Sequence, residues 1–307
     1  MRCGVDIGGT NTMIGLVDEN GRIADYDCIK TGKYEMAFDL VVTIAYSILR
    51  MAKVNQVKIE SIGVGCPNIN PETGIIEKAA NLKFKSPVSL LDEFRRYFPE
   101  TPLFFENDAR AAALGEAVYG SAKGLKNFLE ITLGTGLGCG IMAEGNLLAG
   151  NRGMAGEVGH SIIVPEGREC GCGRRGCLEQ YVVANGIYRT YTELCQQLNQ
   201  PPKAADYRSL AILAKAGDSI AIDTYQKTGK ILGLALANMA CCYAPSHIFI
   251  FGGVAQAGDV LMEPTRESFE KNLLFCYKDH IKLEFSGLMA SSKNAGILGA
   301  AALADRA

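Results

Sequence analysis

The chain has 307 residues, enough for about two domains that each bury a sizeable core. Hydrophobic residues make up 48% of it and charged residues 21%, which excludes a disordered chain. The formal net charge is −2, so the composition gives no electrostatic footprint for nucleic acid or an anionic membrane. The longest apolar run, 231–242, is too short to cross a bilayer, and the first residues do not resemble a cleavable signal. We therefore expect a cytoplasmic protein with neither a nucleic-acid nor a membrane partner.

Two glycine-rich turns organise the predicted elements. In the first half a strand ends at Val5, the turn 6–11 follows, and a second strand spans 13–17. Helical periodicity and apolar runs then predict a helix over 36–52, a strand over 61–66, a helix over 90–98, a strand over 103–106 and a helix over 108–119 that Asn107 caps.

The second half repeats the opening of the first. A strand over 128–131, a glycine turn over 132–140 and a strand over 141–143 again precede a polar reversal, which indicates two similar halves that each open with a β-meander. The later predicted elements are helices between 178 and 243, a strand over 248–251 that leads into Gly252 and Gly253, a strand over 281–285 and a helix over 294–305.

Alternating strands and helices in both halves predict an α/β fold. We expect a smaller N-terminal domain over 1–107 and a larger C-terminal domain over 108–292. We also expect the C-terminal helix, 293–307, to pack back on the first domain.

The glycine turns are candidate phosphate sites, because glycines at strand ends expose backbone N–H groups. The alternative is that each turn is a tight hairpin without a ligand. Neither turn has the dinucleotide-binding or P-loop spacing, and in both a strand follows where those motifs have a helix. Asp6 adds a carboxylate suited to a hydrated Mg²⁺. The candidate cofactor-binding residues are Asp6, Gly8, Gly9, Thr10, Asn11, Gly134, Thr135, Gly136, Gly138, Gly252 and Gly253.

A cluster of metal-ligating residues stands apart from the other cysteines of the chain, which contains 11 in all. His160 is followed by Cys170, Cys172 and Cys177, with glycines between the cysteines. A Cys₃His set is typical of a closed tetrahedral zinc site with a structural role. The alternative is three unrelated buried thiols and one satisfied histidine.

The chain resembles the ROK family within the actin-like ATPase superfamily of sugar kinases. The resemblance lies in the two glycine turns and in Glu-Val-Gly-His over 157–160, followed by Cys-Gly-Cys-Gly-Arg-Arg-Gly-Cys-Leu-Glu over 170–179. It implies a two-domain, ribonuclease H-like fold with the zinc loop in the larger domain. It also implies ATP with Mg²⁺, a structural Zn²⁺ that orients His160, and sugar hydroxyls bound by Glu157, His160 and Glu179.

Asn107 and Asp108 follow the predicted strand 103–106. Spacing alone favours helix capping by Asn107, with Asp108 in the first turn. The segment 105–113 resembles the ROK segment that carries the catalytic base, which implies that Asp108 deprotonates the sugar hydroxyl. Asn68 and Phe84 depart from the family's sugar loop, where many members have Gly and Trp. With the resemblance included, the candidate substrate-binding residues are Asn81, Asn107, Asp108, Glu157, His160 and Glu179.

The resemblance implies an ATP-dependent hexose kinase, a glucokinase that phosphorylates the 6-hydroxyl of glucose. Alternatives in the same family are N-acetylmannosamine kinase, N-acetylglucosamine kinase and fructokinase, and polyphosphate is an alternative donor. A sugar-sensing ROK regulator would need an N-terminal helix-turn-helix, which we do not expect because the chain starts at the first turn's strand. A homodimer is also implied.

Overall fold

The computed structural model describes most of the chain. The described residues are 1–78, 82–85, 87–291 and 295–306. Within them, no helix combines the length and the apolarity that crossing a bilayer would demand.

Contacts divide the chain into two compact units. The first contains Met1–Gly124, Leu147–Ala155 and Ala290–Ala307, and the second contains Leu125–Asn146 and Gly156–Met289. The sequence placed the boundary at Asn107 instead. The two differ because the helix after Asn107 packs against the C-terminal helix inside the first unit.

The secondary structure of the first unit begins with a hairpin and ends with a short helix. Its strands are β1 (Arg2–Ile7), β2 (Thr12–Val17), β3 (Ile23–Ile29), β4 (Ser61–Gly65), β5 (Ile75–Ile76), β6 (Val88–Ser89) and β7 (Leu103–Glu106). Its helices are α1 (Ala37–Val54), α2 (Leu90–Arg95), α3 (Asp108–Tyr119) and α9 (Ala295–Ala301). Of the helix expected over 293–307, the described residues form an α-helix over Ala295–Ala301 and a 3₁₀ segment over Ala302–Arg306.

Five strands of the first unit form a sheet in the order β3-β2-β1-β4-β7 among the described residues. β1 is antiparallel to β2 and parallel to β4, which is parallel to β7. Side chains of α1, including Ile44 and Ile48, share a hydrophobic core with the sheet. α9 also lies directly against the strands, because a Cβ at Gly4 or Gly63 would collide with a carbonyl of that helix. Because β1, β4 and β7 are parallel, their carboxyl ends lie at one edge of the sheet, where ligands gather in such folds.

The second unit repeats this arrangement. Its strands are β8 (Phe128–Leu133), β9 (Leu137–Ala143), β10 (Asn146–Leu147, of which Asn146 belongs to this unit), β11 (His247–Phe251) and β12 (Lys282–Phe285). Its helices are α4 (Glu179–Val182), α5 (Ala184–Gln197), α6 (Tyr207–Lys215), α7 (Ser219–Tyr243) and α8 (Asp259–Asn272).

The strand order in the described part of the second sheet is β10-β9-β8-β11-β12. β8 is antiparallel to β9 and parallel to β11, and β11 is parallel to β12. In each sheet a glycine turn thus joins an antiparallel pair, β1 and β2 in the first and β8 and β9 in the second. Two further strands extend the sheet in parallel from β1 or from β8. The internal repeat read from the sequence has a counterpart in the topology.

Candidate functional site

The first glycine turn joins β1 to β2. The backbone N–H of Gly8 donates to the carbonyl of Asn11 at 3.0 Å, and Gly9 and Thr10 are exposed. The side-chain oxygen Oδ1 of Asn11 is buried and has no hydrogen-bond partner among the described residues. A buried acceptor beside exposed backbone fits a bound polar ligand such as a phosphate with its hydrated cation.

Asp6 and Asp108 lie close together at the carboxyl ends of β1 and β7. Both are near Gly65, since a Cβ there would be 3.9 Å from Oδ1 of Asp6 and 3.7 Å from Cα of Asp108. Burial, together with the charge of Asp108, raises the pKa of Asp6 to about 7. On its other side the Asp6 carboxylate contacts Gly296 of α9, where any side chain would collide with it. A partly buried carboxylate beside an exposed one suits a divalent cation and a general base.

Asn107 caps α3, as its position before the helix predicts. Its Oδ1 accepts hydrogen bonds from the backbone N–H groups of Ala109 at 3.0 Å and Arg110 at 3.3 Å. The cap therefore occupies the amide oxygen, and the amide nitrogen Nδ2 is the group that could donate to a ligand. Asp108 follows in the first turn, with Oδ1 accepting from the N–H of Ala109 at 2.9 Å.

Glu106 and Arg110 form a buried ion pair that the sequence reading missed. Their side chains are 0% and 2% exposed, and Nη2 of Arg110 lies 3.2 Å from Oε2 of Glu106. Glu106 also accepts a hydrogen bond from the N–H of Asn107 at 2.9 Å through Oε1, and Arg110 donates to the carbonyl of Gly153. The pair thus brackets Asp108, from the last residue of β7 to the first turn of α3. The only signal in the sequence is two opposite charges four positions apart.

The segment that contains Asn68, Asn81 and Phe84, which the family resemblance identifies as a sugar loop, is described over 67–78 and 82–85. Asn81 lies outside the described residues. Asn68, where many family members have Gly, adopts φ of 57° and donates through Nδ2 to the carbonyl of Lys78 at 3.2 Å. The position requires a left-handed backbone, which Asn tolerates better than other residues with a side chain. Asn at this position therefore accommodates the left-handed backbone of the loop.

The second glycine turn joins β8 to β9. The N–H of Gly134 donates to the carbonyl of Gly136 at 3.0 Å, and Thr135 and Gly136 are exposed. The N–H of Leu137, where β9 begins, donates to Oε2 of Glu179 at 3.0 Å. The turn therefore contacts Glu179, which the family resemblance assigned to sugar binding. No local pattern in the sequence predicts this contact, because the two residues are 42 positions apart.

Gly252 and Gly253 follow β11, beside this second turn. Gly252 has φ of 106°, and a Cβ there would collide with the carbonyl of Leu133, the last residue of β8. That carbonyl accepts a hydrogen bond from the N–H of Val254 at 3.1 Å. Two of the three glycine turns thus lie side by side in the second unit.

The Cys₃His residues come together as the motif predicts. One ligand atom from each of the four side chains lies within 4.8 Å of the others. Nδ1 of His160 is 3.5 Å from Sγ of Cys170, and Sγ of Cys172 is 3.6 Å from Sγ of Cys177. Around a tetrahedral zinc ion these separations should be about 3.6 Å and 3.8 Å, given Zn–N near 2.0–2.1 Å and Zn–S near 2.3 Å. The donor set and its spacing therefore fit zinc.

Hydrogen bonds around the cluster hold its loop. The N–H of Cys170 donates to the carbonyl of Arg174 at 2.9 Å, and Nη2 of Arg174 donates to the carbonyl of His160 at 2.8 Å. Hydrogen bonds from the backbone and side chain of Arg174 lower the pKa of Cys172 to about 6, which favours the thiolate that zinc requires. Nε2 of Gln180 donates to Sγ of Cys170 at 3.6 Å, so the start of α4 is tied to a ligand.

His160 presents its second ring nitrogen to Glu157. While Nδ1 faces Cys170, Nε2 lies 3.9 Å from Oε2 of Glu157, whose side chain is 66% exposed. Gly156 and Gly159 let this segment run against β9, because a Cβ at either would press on a carbonyl of that strand. A metal at Nδ1 would fix the ring and leave Nε2 beside an exposed carboxylate.

Comparisons with known proteins agree on one family. The family model described as ROK family matches residues 2–307. A glucokinase from Halalkalibacterium halodurans is 36% identical over 309 residues, covering 96% of this chain and 92% of the glucokinase. The crystal structure of a ROK family glucokinase from Streptomyces griseus in complex with glucose and AMPPNP has a TM-score of 0.82 at 30% identity, covering 100% of this chain and 99% of that one. A ROK family transcriptional regulator, homologous to the Mlc protein of Escherichia coli, has a TM-score of 0.88 at 26% identity, covering 99% of this chain and 77% of the regulator.

Proposed function

The chain belongs to the ROK family, and we propose that it is a glucokinase that transfers the γ-phosphoryl group of ATP to the 6-hydroxyl of glucose. Its glucokinase relatives match nearly its whole length. The observation that carries the proposal is the proximity of two acidic residues, Asp6 and Asp108, which both lie near Gly65 and of which the second raises the pKa of the first. A kinase needs one acidic group for the cation on the phosphates and another for the acceptor hydroxyl, and a sugar sensor needs neither.

In the proposed reaction Asp108 removes the proton of the 6-hydroxyl as that oxygen attacks the γ-phosphorus. Asn107 donates through Nδ2 to a neighbouring hydroxyl, since its oxygen caps the helix. Exposed backbone N–H groups of the glycine turns bind the phosphates. Mg²⁺, when bound near Asp6, would offset the negative charge on the transferred group.

The zinc site supports sugar binding through His160. Cys170, Cys172, Cys177 and Nδ1 of His160 would hold the ion, and its chemistry there is structural. With the ring fixed, Nε2 of His160 and the carboxylates of Glu157 and Glu179 bind sugar hydroxyls. Asn81 is proposed to bind the sugar as well, on the family resemblance alone.

We also assign the fold to the actin-like ATPase class. The proposal is supported by the matching strand orders of the two units, each a glycine hairpin flanked by two parallel strands. The homodimer implied by the resemblance stays a prediction, and sedimentation of the purified protein would measure it.

A coupled ADP-release assay of the purified protein against about a dozen hexoses tests the function. We expect glucose to give the highest kcat/KM and the product to carry phosphate at the 6-position. The screen should include N-acetylmannosamine, N-acetylglucosamine and fructose, with polyphosphate as an alternative donor. The variant Asp108→Asn is the matched control for contaminating kinases. A higher kcat/KM with another sugar would reassign the substrate, and no turnover with any of them would overturn the kinase.

A further inference from the structure

We propose that Glu179 is a positioning residue for the nucleotide, because its carboxylate holds the second glycine turn in the shape that receives phosphates. This role is separate from its binding of sugar, and it rests on the proposed function only for the identity of the ligand.

The contact lies where the turn rejoins the sheet. Oε2 of Glu179 accepts from the N–H of Leu137 at 3.0 Å, and a Cβ on Gly136 would lie 3.0 Å from the same oxygen. Glycine at 136 therefore leaves room for the carboxylate to reach the backbone. A hydrogen bond with a charged acceptor is among the stronger ones a side chain can make to a backbone.

The backbone of Glu179 is itself fixed. The preceding N–H, of Leu178, donates to the carbonyl of Ser161 at 2.9 Å. The following side chain, of Gln180, donates to the Cys170 thiol at 3.6 Å. Cys177, two positions earlier, belongs to the Cys₃His cluster. Because Glu179 is held on both sides, the turn takes its position from Glu179.

The same segment also holds the other end of the turn. The N–H of Ala184, the first residue of α5, donates to the carbonyl of Gly134 at 3.1 Å. The residues 134–137 are thus held at both ends by residues of 179–184. Without the Glu179 contact, an exposed glycine-rich turn would sample more conformations, and binding a nucleotide would have to order it.

The test measures nucleotide binding with no sugar present. Titration calorimetry with AMPPNP and Mg²⁺ should give about tenfold weaker binding for Glu179→Ala than for the wild type. Glu179→Gln retains an oxygen acceptor for the N–H of Leu137, so its affinity should stay within about twofold of wild type. Glu157→Ala is the matched control, because Glu157 is also assigned to the sugar but contacts His160. It should weaken glucose binding and leave AMPPNP binding unchanged.

Amide hydrogen exchange of the ligand-free protein supplies a second readout. Peptides that contain 134–137 should exchange faster in Glu179→Ala than in the wild type, and at the wild-type rate in Glu179→Gln. If Glu179→Ala does not fold, Glu179→Asp replaces it. Its side chain keeps the charge but is too short to reach the N–H of Leu137, so it should show the same loss of AMPPNP affinity and the same faster exchange.

Wild-type AMPPNP affinity in a folded Glu179→Ala or Glu179→Asp protein, with unchanged exchange over 134–137, would overturn the inference. Tighter AMPPNP binding in that variant would also overturn it, since the carboxylate would then compete with phosphate. A wild-type protein that fails to bind glucose would instead contradict the proposed function, while the exchange experiment would still decide the role of Glu179.

Discussion

Removing Arg110 should destabilise the first unit strongly, because it leaves the carboxylate of Glu106 buried without its ion-pair partner. The two side chains are 2% and 0% exposed, with 3.2 Å between Nη2 and Oε2. Breaking a buried pair from one side costs about 3–5 kcal/mol. Against a typical domain stability of about 5–15 kcal/mol, Arg110→Ala should lower the urea midpoint substantially.

The matched control removes both charges. In Glu106→Gln/Arg110→Gln no charge stays buried alone, so we expect a loss of about 1–2 kcal/mol. The double variant should therefore be more stable than Arg110→Ala. Circular dichroism in urea, on ligand-free protein, measures both, and the cycle completed with Glu106→Gln and Arg110→Gln gives the coupling free energy.

The same pair should affect catalysis, since Glu106 accepts the N–H of Asn107 at 2.9 Å and Asp108 follows directly. We expect kcat of the double variant to fall more than its glucose affinity, because a small displacement of the general base Asp108 slows the chemical step more than it weakens substrate binding. A loss of stability below about 1 kcal/mol in Arg110→Ala, or a double variant less stable than that single one, would refute the buried-pair reasoning.

Three further predictions concern the proposed site. Asp108→Asn should lower kcat by about 10²–10⁴-fold, with glucose affinity measured by calorimetry changing far less; retention of a tenth of the wild-type kcat would remove Asp108 from the role. Elemental analysis should find about one zinc per chain. The variant Cys172→Ser should lose the zinc and also bind sugar more weakly, because the loop around His160 becomes disordered. A zinc-free protein with unchanged sugar affinity would contradict this. Folding raises the pKa of Asp6 from 3.8 to about 7, so the folded protein holds a proton on this carboxyl more tightly than the unfolded chain does. The contribution of Asp6 to the free energy of unfolding is therefore full below about pH 4 and is lost as the pH rises through about 7. Asp6→Asn should therefore gain stability relative to the ligand-free wild type between pH 4 and 8 while losing activity; parallel pH profiles from thermal melts would count against the shift.

The sequence predicts features that depend on local spacing. Glycine turns at strand ends and Asn107 before α3 can be read from a few neighbouring residues, and the structure contains both. The Cys₃His cluster is likewise local, since its glycines permit one loop to bring four ligands together. The family resemblance rests on the same short motifs.

Elements with mixed patterns are harder to predict. β3 alternates partly buried and exposed positions and carries two aspartates, so it lacks the apolar run that marks a core strand. α8 contains Pro264, which ordinarily ends a helix, and its apolar residues are few. The unit boundary also escapes the sequence, because Leu147–Ala155 joins the first unit from the middle of the second.

Contacts to backbone groups leave no trace in residue identity. The bond from Leu137 to Glu179 spans 42 positions, and any residue other than proline at 137 could donate the same N–H. What the sequence does contain is the consequence, a glycine at 136 with room for the carboxylate. Such glycines are easily read as turn residues alone.

The two glycine turns stand in equivalent places yet carry different chemistry. Asp6 is the fifth residue of β1, and Thr132 is the fifth residue of β8, each one position before its strand ends. At this position the first copy therefore has a carboxylate, which we propose faces the cation, whereas the second copy has a hydroxyl. In the second copy a carboxylate reaches the turn from Glu179 instead and accepts a hydrogen bond from the backbone N–H of Leu137. The same hairpin topology therefore carries a carboxylate of its own strand at this position in one unit and receives one from a distant segment of the chain in the other.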